Sequence, residues 1–327
     1  MAKTRKIILG LACLGLAATG FYAMPANAQQ DVTYLLPAPQ SLPAFGPWMV
    51  AKQRDYFKAE GLNVNFQIGK GGVDVAKQVG AGNAVVGGAI GDTPIMVRPN
   101  GVPVKSVAVL GGRSLMQLVL NKDKVKSIKD LKGKVVTTMA YQDTTYFALL
   151  GMLATQNMSK NDVNAQAVGP LNVWKLFAAG EADAMASTPD WTYNVMTTSK
   201  LNLEIIPSDT HFRSMAQAIL ASDETIQKNP ELIQKLVRAT LKGMKAIMDD
   251  PAAAAVDYAK AVPEHAGKEA GLTEIFKMYT KYVYEGQKVL GEMDEARLVA
   301  LQDFYVKEGI VRGVTPVKDL YTNQFVK

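Results

Sequence analysis

Cysteine is nearly missing from this chain: Cys13 is the single one among 327 residues, and it falls within the first 28. There Lys3, Arg5 and Lys6 precede an apolar run over 7–21, and Ala26-Asn27-Ala28 supplies the small residues that signal peptidase needs. The segment reads as a secretory signal peptide cleaved after Ala28. A spanning anchor would want ~20 strongly apolar residues, whereas this run is short, rich in Gly and Ala, and followed by Pro25. Cys13 follows Gly10-Leu11-Ala12, a poor and early match to a lipoprotein cleavage box. Cleavage would leave a mature chain without cysteine, which excludes disulfides, thiolate nucleophiles and Cys-metal sites together. Histidine is almost as scarce. His211 and His265 stand 54 positions apart, too little for a zinc site or a His-based nucleophile triad, so both read as solvated or structural.

Positive charge is also thinner than the totals suggest. Losing Lys3, Arg5 and Lys6 takes Lys+Arg from 36 to 33 against 30 acids, about +3. No Lys/Arg-rich run marks a nucleic-acid surface, and nucleic acid is excluded as a partner. With 48% hydrophobic and 20% charged residues, the mature chain has the make-up of an exported soluble protein with room for about two domains.

What is present is a repeat. Val75, Lys77, Val79, Ala81, Gly82 and Ala84 recur 98 positions later as Val173, Lys175, Phe177, Ala179, Gly180 and Ala182. A Pro-containing loop with an Asp follows each copy: Asp92-Thr93-Pro94, then Thr188-Pro189-Asp190. Each copy reads as a short helix ending at Gly, a small-residue strand, and a loop that opens a new helix. Two copies at so long a period indicate two similar α/β lobes facing each other across a cleft, not a solenoid.

The rest of the chain fits that organisation. Segments 31–36, 62–68, 85–90 and 102–110 read as strands, and 45–59 as a helix stopped by Gly61. Segments 135–139, 163–168 and 203–206 continue the strands in the second lobe, with a helix over 146–156. Alternation of this kind predicts parallel sheet with crossover helices. From Asn229 onward four helices follow without a strand, at 230–248, 251–261, 272–284 and 294–307, and are expected to pack back onto the first lobe. Segments 115–121 and 215–221 read as the two crossings between lobes. The expected fold class is therefore α/β, with lobe 1 formed by 29–114 plus 216–327, lobe 2 by 115–215, and a two-strand hinge between them.

Four segments in order carry a family resemblance: AKQRDYFKAEGLNV over 51–64, SIKDLKGKVV over 127–136, the paired AGxA segments, and NPELIQKLVRATLKGMKAIMDDP over 229–251. The chain resembles periplasmic solute-binding proteins of ABC importers for nitrate, sulfonates and taurine, together with the related thiamine-pyrimidine group. The resemblance implies a type II periplasmic-binding-protein fold, a ligand pocket in the interlobe cleft, no cofactor, and delivery of a small-molecule solute to permease subunits in the inner membrane. The chain itself is expected to act as a monomer.

Ligands in open α/β sheets lie beyond the carboxyl ends of strands. That rule selects Gln40, Ser41, Gly71, Asp92, Thr93, Tyr141, Asp143, Thr144, Thr145, Asp190 and Trp191. Trp48, near the same loops, could wall an apolar ligand or sit in the core, and Arg113 stands before the first crossing. Helix starts suit anions, but three carboxylates suit an ammonium or amide group better, and plain helix capping accounts equally well for Asp92, Asp143 and the threonines. The reading is a periplasmic receptor for a small organic solute, sulfonate-like or aromatic and heterocyclic. The alternatives are an enzyme resembling thiamine-pyrimidine synthase, whose cysteine-rich motif and active-site histidine have no counterpart here, and a partner that presents ligand to a membrane sensor.

Overall fold

The computed structural model describes residues 29–141 and 143–326; the expected signal peptide lies outside the described residues. Ten strands follow in chain order: β1 (Gln30–Leu36), β2 (Leu62–Ile68), β3 (Val86–Ile90), β4 (Val104–Val109), β5 (Gln117–Asn121), β6 (Val135–Thr138), β7 (Asn164–Ala167), β8 (Ala184–Ser187), β9 (Leu203–Pro207) and β10 (Gln217–Ser222). They form two five-stranded sheets, ordered β2-β1-β3-β10-β4 and β7-β6-β8-β5-β9. The two orders are the same once β10 and β5 are matched. The fold is the two-lobed α/β fold of periplasmic binding proteins.

Each sheet is mixed where parallel sheet was expected. β1 pairs in parallel with β2 and β3, but β10 runs antiparallel to β3 and β4. In the second sheet β6 is parallel to β7 and β8, and β5 is antiparallel to β8 and β9. The antiparallel strand is in each case the first one made after the chain arrives from the other sheet. Segments 115–121 and 215–221 are thus mostly inner strands, and the crossings themselves are the connections from β4 to β5 and from β9 to β10, which end as those strands begin. The two connections run side by side: Leu115 N donates to Met215 O at 3.1 Å, and Leu110 N donates to the O of Gln217, the first residue of β10, at 2.7 Å.

Both copies of the repeat take the same place. The helices Gly72–Gly80 and Asn172–Ala178 give way to Gly82 at φ 77° and Gly180 at φ 80°, a left-handed turn that only glycine makes without strain. β3 and β8 follow as the third strand of each order, and Val79 and Phe177 are fully buried beneath them.

The expected helix over 45–59 is two helices, Gly46–Gln53 and Tyr56–Ala59, because Asp55 takes φ 55° between them. The later helices fall close to expectation, at Pro230–Asp249, Pro251–Ala261, Glu269–Tyr279 and Glu295–Lys307. They share one hydrophobic core with the first sheet, in which Trp48, Leu236, Phe276 and Tyr305 are fully buried. Side chains of this size each contribute roughly 1.5–3 kcal/mol on burial. Among the described residues no helix is long and apolar enough to cross a membrane.

Candidate functional site

The loops at the carboxyl ends of β1, β3, β6 and β8 converge between the sheets on a chamber of about 70 Å³. From the first lobe its wall takes Pro37 and Ala38 after β1, Leu42 and Phe45, Val73 at a helix start, Ile90, Thr93 and Met96. The second lobe contributes Met139, Asp143, Thr145, Thr188, Asp190 and Trp191, and Leu115 on the first crossing and Gln217 at the start of β10 complete it. An outer groove of about 360 Å³ shares Pro37, Ala38, Val73, Met139 and Asp143 with the chamber and carries Lys70 and Lys77. A second groove, about 420 Å³, lies on the other side of Asp190 and Trp191 and presents Trp174 and Tyr193.

Local chemistry fixes the polar groups. Asp143 caps the helix Thr144–Ala154, its Oδ1 accepting from Thr145 N at 2.9 Å and from the Thr145 hydroxyl at 2.5 Å. Capping and cavity lining therefore coincide in Asp143 and Thr145. Asp190 stands in the first turn of the helix Pro189–Thr198, 2% exposed. Its Oδ1 accepts from Thr188 Oγ1 at 2.6 Å and from the Tyr279 hydroxyl at 2.7 Å. Burial pushes the Asp190 carboxyl above its usual range, and those two hydroxyls act against the shift. Trp191 is 4% exposed and its Nε1 has no partner.

Thr93, Asp143, Thr145, Asp190 and Trp191 are brought together; other candidates are not. Asp92 neither caps the next helix nor lines the chamber. It is turned into the core, fully buried, where Oδ2 accepts from the Tyr305 hydroxyl at 2.5 Å and Oδ1 has no partner. Trp48 is core, its ring 6.0 Å from Tyr34 and 5.9 Å from Phe45. Gln40 and Ser41 lie off the chamber wall, their carbonyls engaged by the Tyr258 hydroxyl at 3.0 Å and His265 Nε2 at 2.7 Å. Gly71 lines the outer groove. Tyr141 is exposed, its hydroxyl donating to Ala165 O at 3.0 Å. Arg113 faces away at the first crossing, 3.4 Å from Glu285. Thr144 is the first residue of its helix, and its side chain lies outside the described ones.

The apolar wall of Leu42, Phe45, Met96, Leu115 and Met139 was missed from sequence. Its signal was available in part, since Met139 directly follows β6 and Met96 stands one turn after Thr93.

A model of the NMT1/THI5-like family matches residues 42–254. The chain belongs to that family. The matched stretch takes in every residue of the chamber wall except Pro37 and Ala38. Among relatives of this NMT1/THI5-like chain, the riboflavin-binding protein RibY of Chloroflexus aurantiacus is 24% identical over 318 residues, 93% of this chain and 89% of the relative. The 4-amino-5-hydroxymethyl-2-methylpyrimidine phosphate synthase of Aspergillus parasiticus is 24% identical over 244 residues, 68% of each chain. In fold, the chain is similar to the alkanesulfonate-binding protein SsuA of Xanthomonas axonopodis pv. citri, solved with bound MOPS. The TM-score is 0.70 at 15% identity, covering 90% of this chain and 98% of SsuA.

Proposed function

We propose that this protein is the periplasmic solute-binding component of an ABC importer, taking a small organic molecule with a flat or apolar part into the interlobe chamber. The observation that carries the reading is the chamber itself: both sheets build it, its wall is mainly apolar with Trp191 at one side, and no Lys or Arg stands among the described residues that line it. The lobes, taken as 29–114 with 216–327 and 115–215, would close on the ligand, and a permease would read the closed state. The RibY and SsuA relatives, both named as binding proteins, support this reading. The synthase relative favours catalysis, but the chamber wall carries neither cysteine nor histidine among the described residues.

Thermal melting of ligand-stripped protein against riboflavin, aminopyrimidines, aromatic carboxylates and sulfonates tests the proposal. Ligand at ~100 times its dissociation constant stabilises by about 2.7 kcal/mol, a rise of several degrees for a chain of this size. No shift across the panel, or turnover of any compound that binds, counts against it.

A further inference from the structure

Two aromatic side chains pack against the hydrophobic cores of both lobes. Phe147, on the helix Thr144–Ala154, and Phe212, on the second crossing, lie against the core of the second sheet and also against that of the first. What they meet on the first lobe is the helix Glu295–Lys307. The Phe212 and Phe304 rings are 4.7 Å apart between centroids, and the Phe147 and Tyr305 rings 5.9 Å apart, both within the range of favourable tilted pairs. Phe304 and Tyr305 also meet, at 5.8 Å, so the four rings form one seam. Gly151, one turn beyond Phe147, leaves the room that Phe212 occupies: a Cβ there would fall 2.3 Å from its ring.

The seam runs beside the chamber without entering it. Thr145 and Thr93 line the chamber; Phe147 stands two residues after the first, and Tyr305 bonds to Asp92, the neighbour of the second. Phe147 borders instead an open groove of about 640 Å³ walled from both lobes, with Tyr146 and Leu150 on one side and Gly309 and Ile310 on the other. The helix Glu295–Lys307 is rooted in the first core through Leu298 and Leu301, and holds both crossings through Arg297. It therefore starts at the junction and ends against the second lobe.

We propose that this helix is an interlobe strap, its aromatic seam setting the balance between open and closed lobes and hence the affinity for any ligand. The inference rests on the solute-binding reading and adds a control that no ligand touches. The seam is made in the arrangement in which both lobes wall the chamber, so it favours that arrangement. Apparent affinity scales with the fraction of protein already in the binding form, and one aromatic pair shifts such a balance by about two- to tenfold.

Spin labels read the balance directly. Cys13 is the single cysteine, so Asn83→Cys and Glu181→Cys in a Cys13→Ser background place one label at the matching exposed turn of each lobe. Label separations are measured by pulsed electron resonance without ligand and with riboflavin or ethanesulfonate, beside melting curves and calorimetric affinities. Without ligand, Phe304→Ala is expected to move the distribution to longer separations than wild type. Phe147→Leu, which keeps an apolar side chain at the seam, is expected to do the same to a smaller extent and serves if Phe304→Ala fails to fold. Each variant should weaken every probe that binds by one common factor, about two- to tenfold, whereas a change in the chamber wall would alter the ratio between probes. An unchanged ligand-free distribution in the folded variants overturns the proposal, as does a shifted distribution with unchanged affinity. If neither probe binds wild type, the ligand-free distances still decide the strap, and the loss falls on the solute-binding reading for these two classes.

Discussion

Asp92 is a fully buried carboxyl with one hydroxyl donor, from Tyr305, and one oxygen without a partner. Burial raises its pKa from 3.8 to about 6; the Tyr305 hydroxyl and the charge of Arg297 oppose the shift, and Asp143 adds to it. The folded state therefore holds this proton more tightly than the unfolded chain. Its contribution to stability is full below about pH 3.8 and is lost as pH rises through about 6. Asp92→Asn cannot titrate, so the variant should gain on wild type between pH 4 and 7.5 by up to ~3 kcal/mol, from 1.36 kcal/mol per pKa unit. Urea midpoints at the two pH values measure this, and parallel pH profiles would show that Asp92 is not the titrating group. Neighbouring residues explain why such roles are only half visible in sequence. Asp92 and Thr93 share one loop, yet Thr93 lines the chamber and Asp92 faces the helix Glu295–Lys307. The strand-end rule locates a loop; it does not say which way each side chain turns, and the partner of Asp92 stands 213 positions away.

At the scale of elements, the close seat of the helix Pro230–Asp249 on Gly46–Gln53 depends on Gly243. A Cβ built there would lie 2.0 Å from the Pro47 carbonyl oxygen, inside any possible contact. Gly243→Ala should therefore destabilise, although alanine favours helix over glycine by about 1 kcal/mol. Separating packed backbones costs typically 1–3 kcal/mol and sometimes more. A raised melting temperature would show that the two helices are not so closely packed. Amphipathic periodicity makes the long helix readable from sequence, with Leu232, Ile233, Leu236, Val237 and Met244 all buried. The close approach is not readable, since a glycine inside a helix looks the same whether it meets solvent or a neighbour. The break at Asp55 escaped for a related reason: its left-handed backbone is a local choice that helical spacing on both sides conceals.

For the whole molecule, the duplicated helix and strand disclosed two lobes because each copy keeps its glycine turn and its buried face. The mixed sheets were less visible, since strand direction follows from where the chain arrives. The junction between the lobes turns on Arg297, from the helix Glu295–Lys307. It donates to Gly112 O at 2.6 Å and Ser114 Oγ at 3.0 Å on the first crossing, and pairs with Asp209 on the second, between β9 and β10. Its side chain is 3% exposed and that of Asp209 24%. Burial lowers the Arg297 pKa and the Asp209 charge opposes that shift, so removing one partner leaves the other charge poorly solvated. Arg297→Gln should cost about 2–4 kcal/mol, below the 3–5 kcal/mol of a fully buried pair because Asp209 reaches solvent. Adding Asp209→Asn should return part of the loss, since the double variant strands no charge. Under the proposed closure, the same variants should change the compaction that ligand produces in solution scattering, because one guanidinium holds both crossings at once. A double variant as unstable as the sum of the single ones would show that Arg297 and Asp209 act independently and that the junction is held by backbone pairing alone.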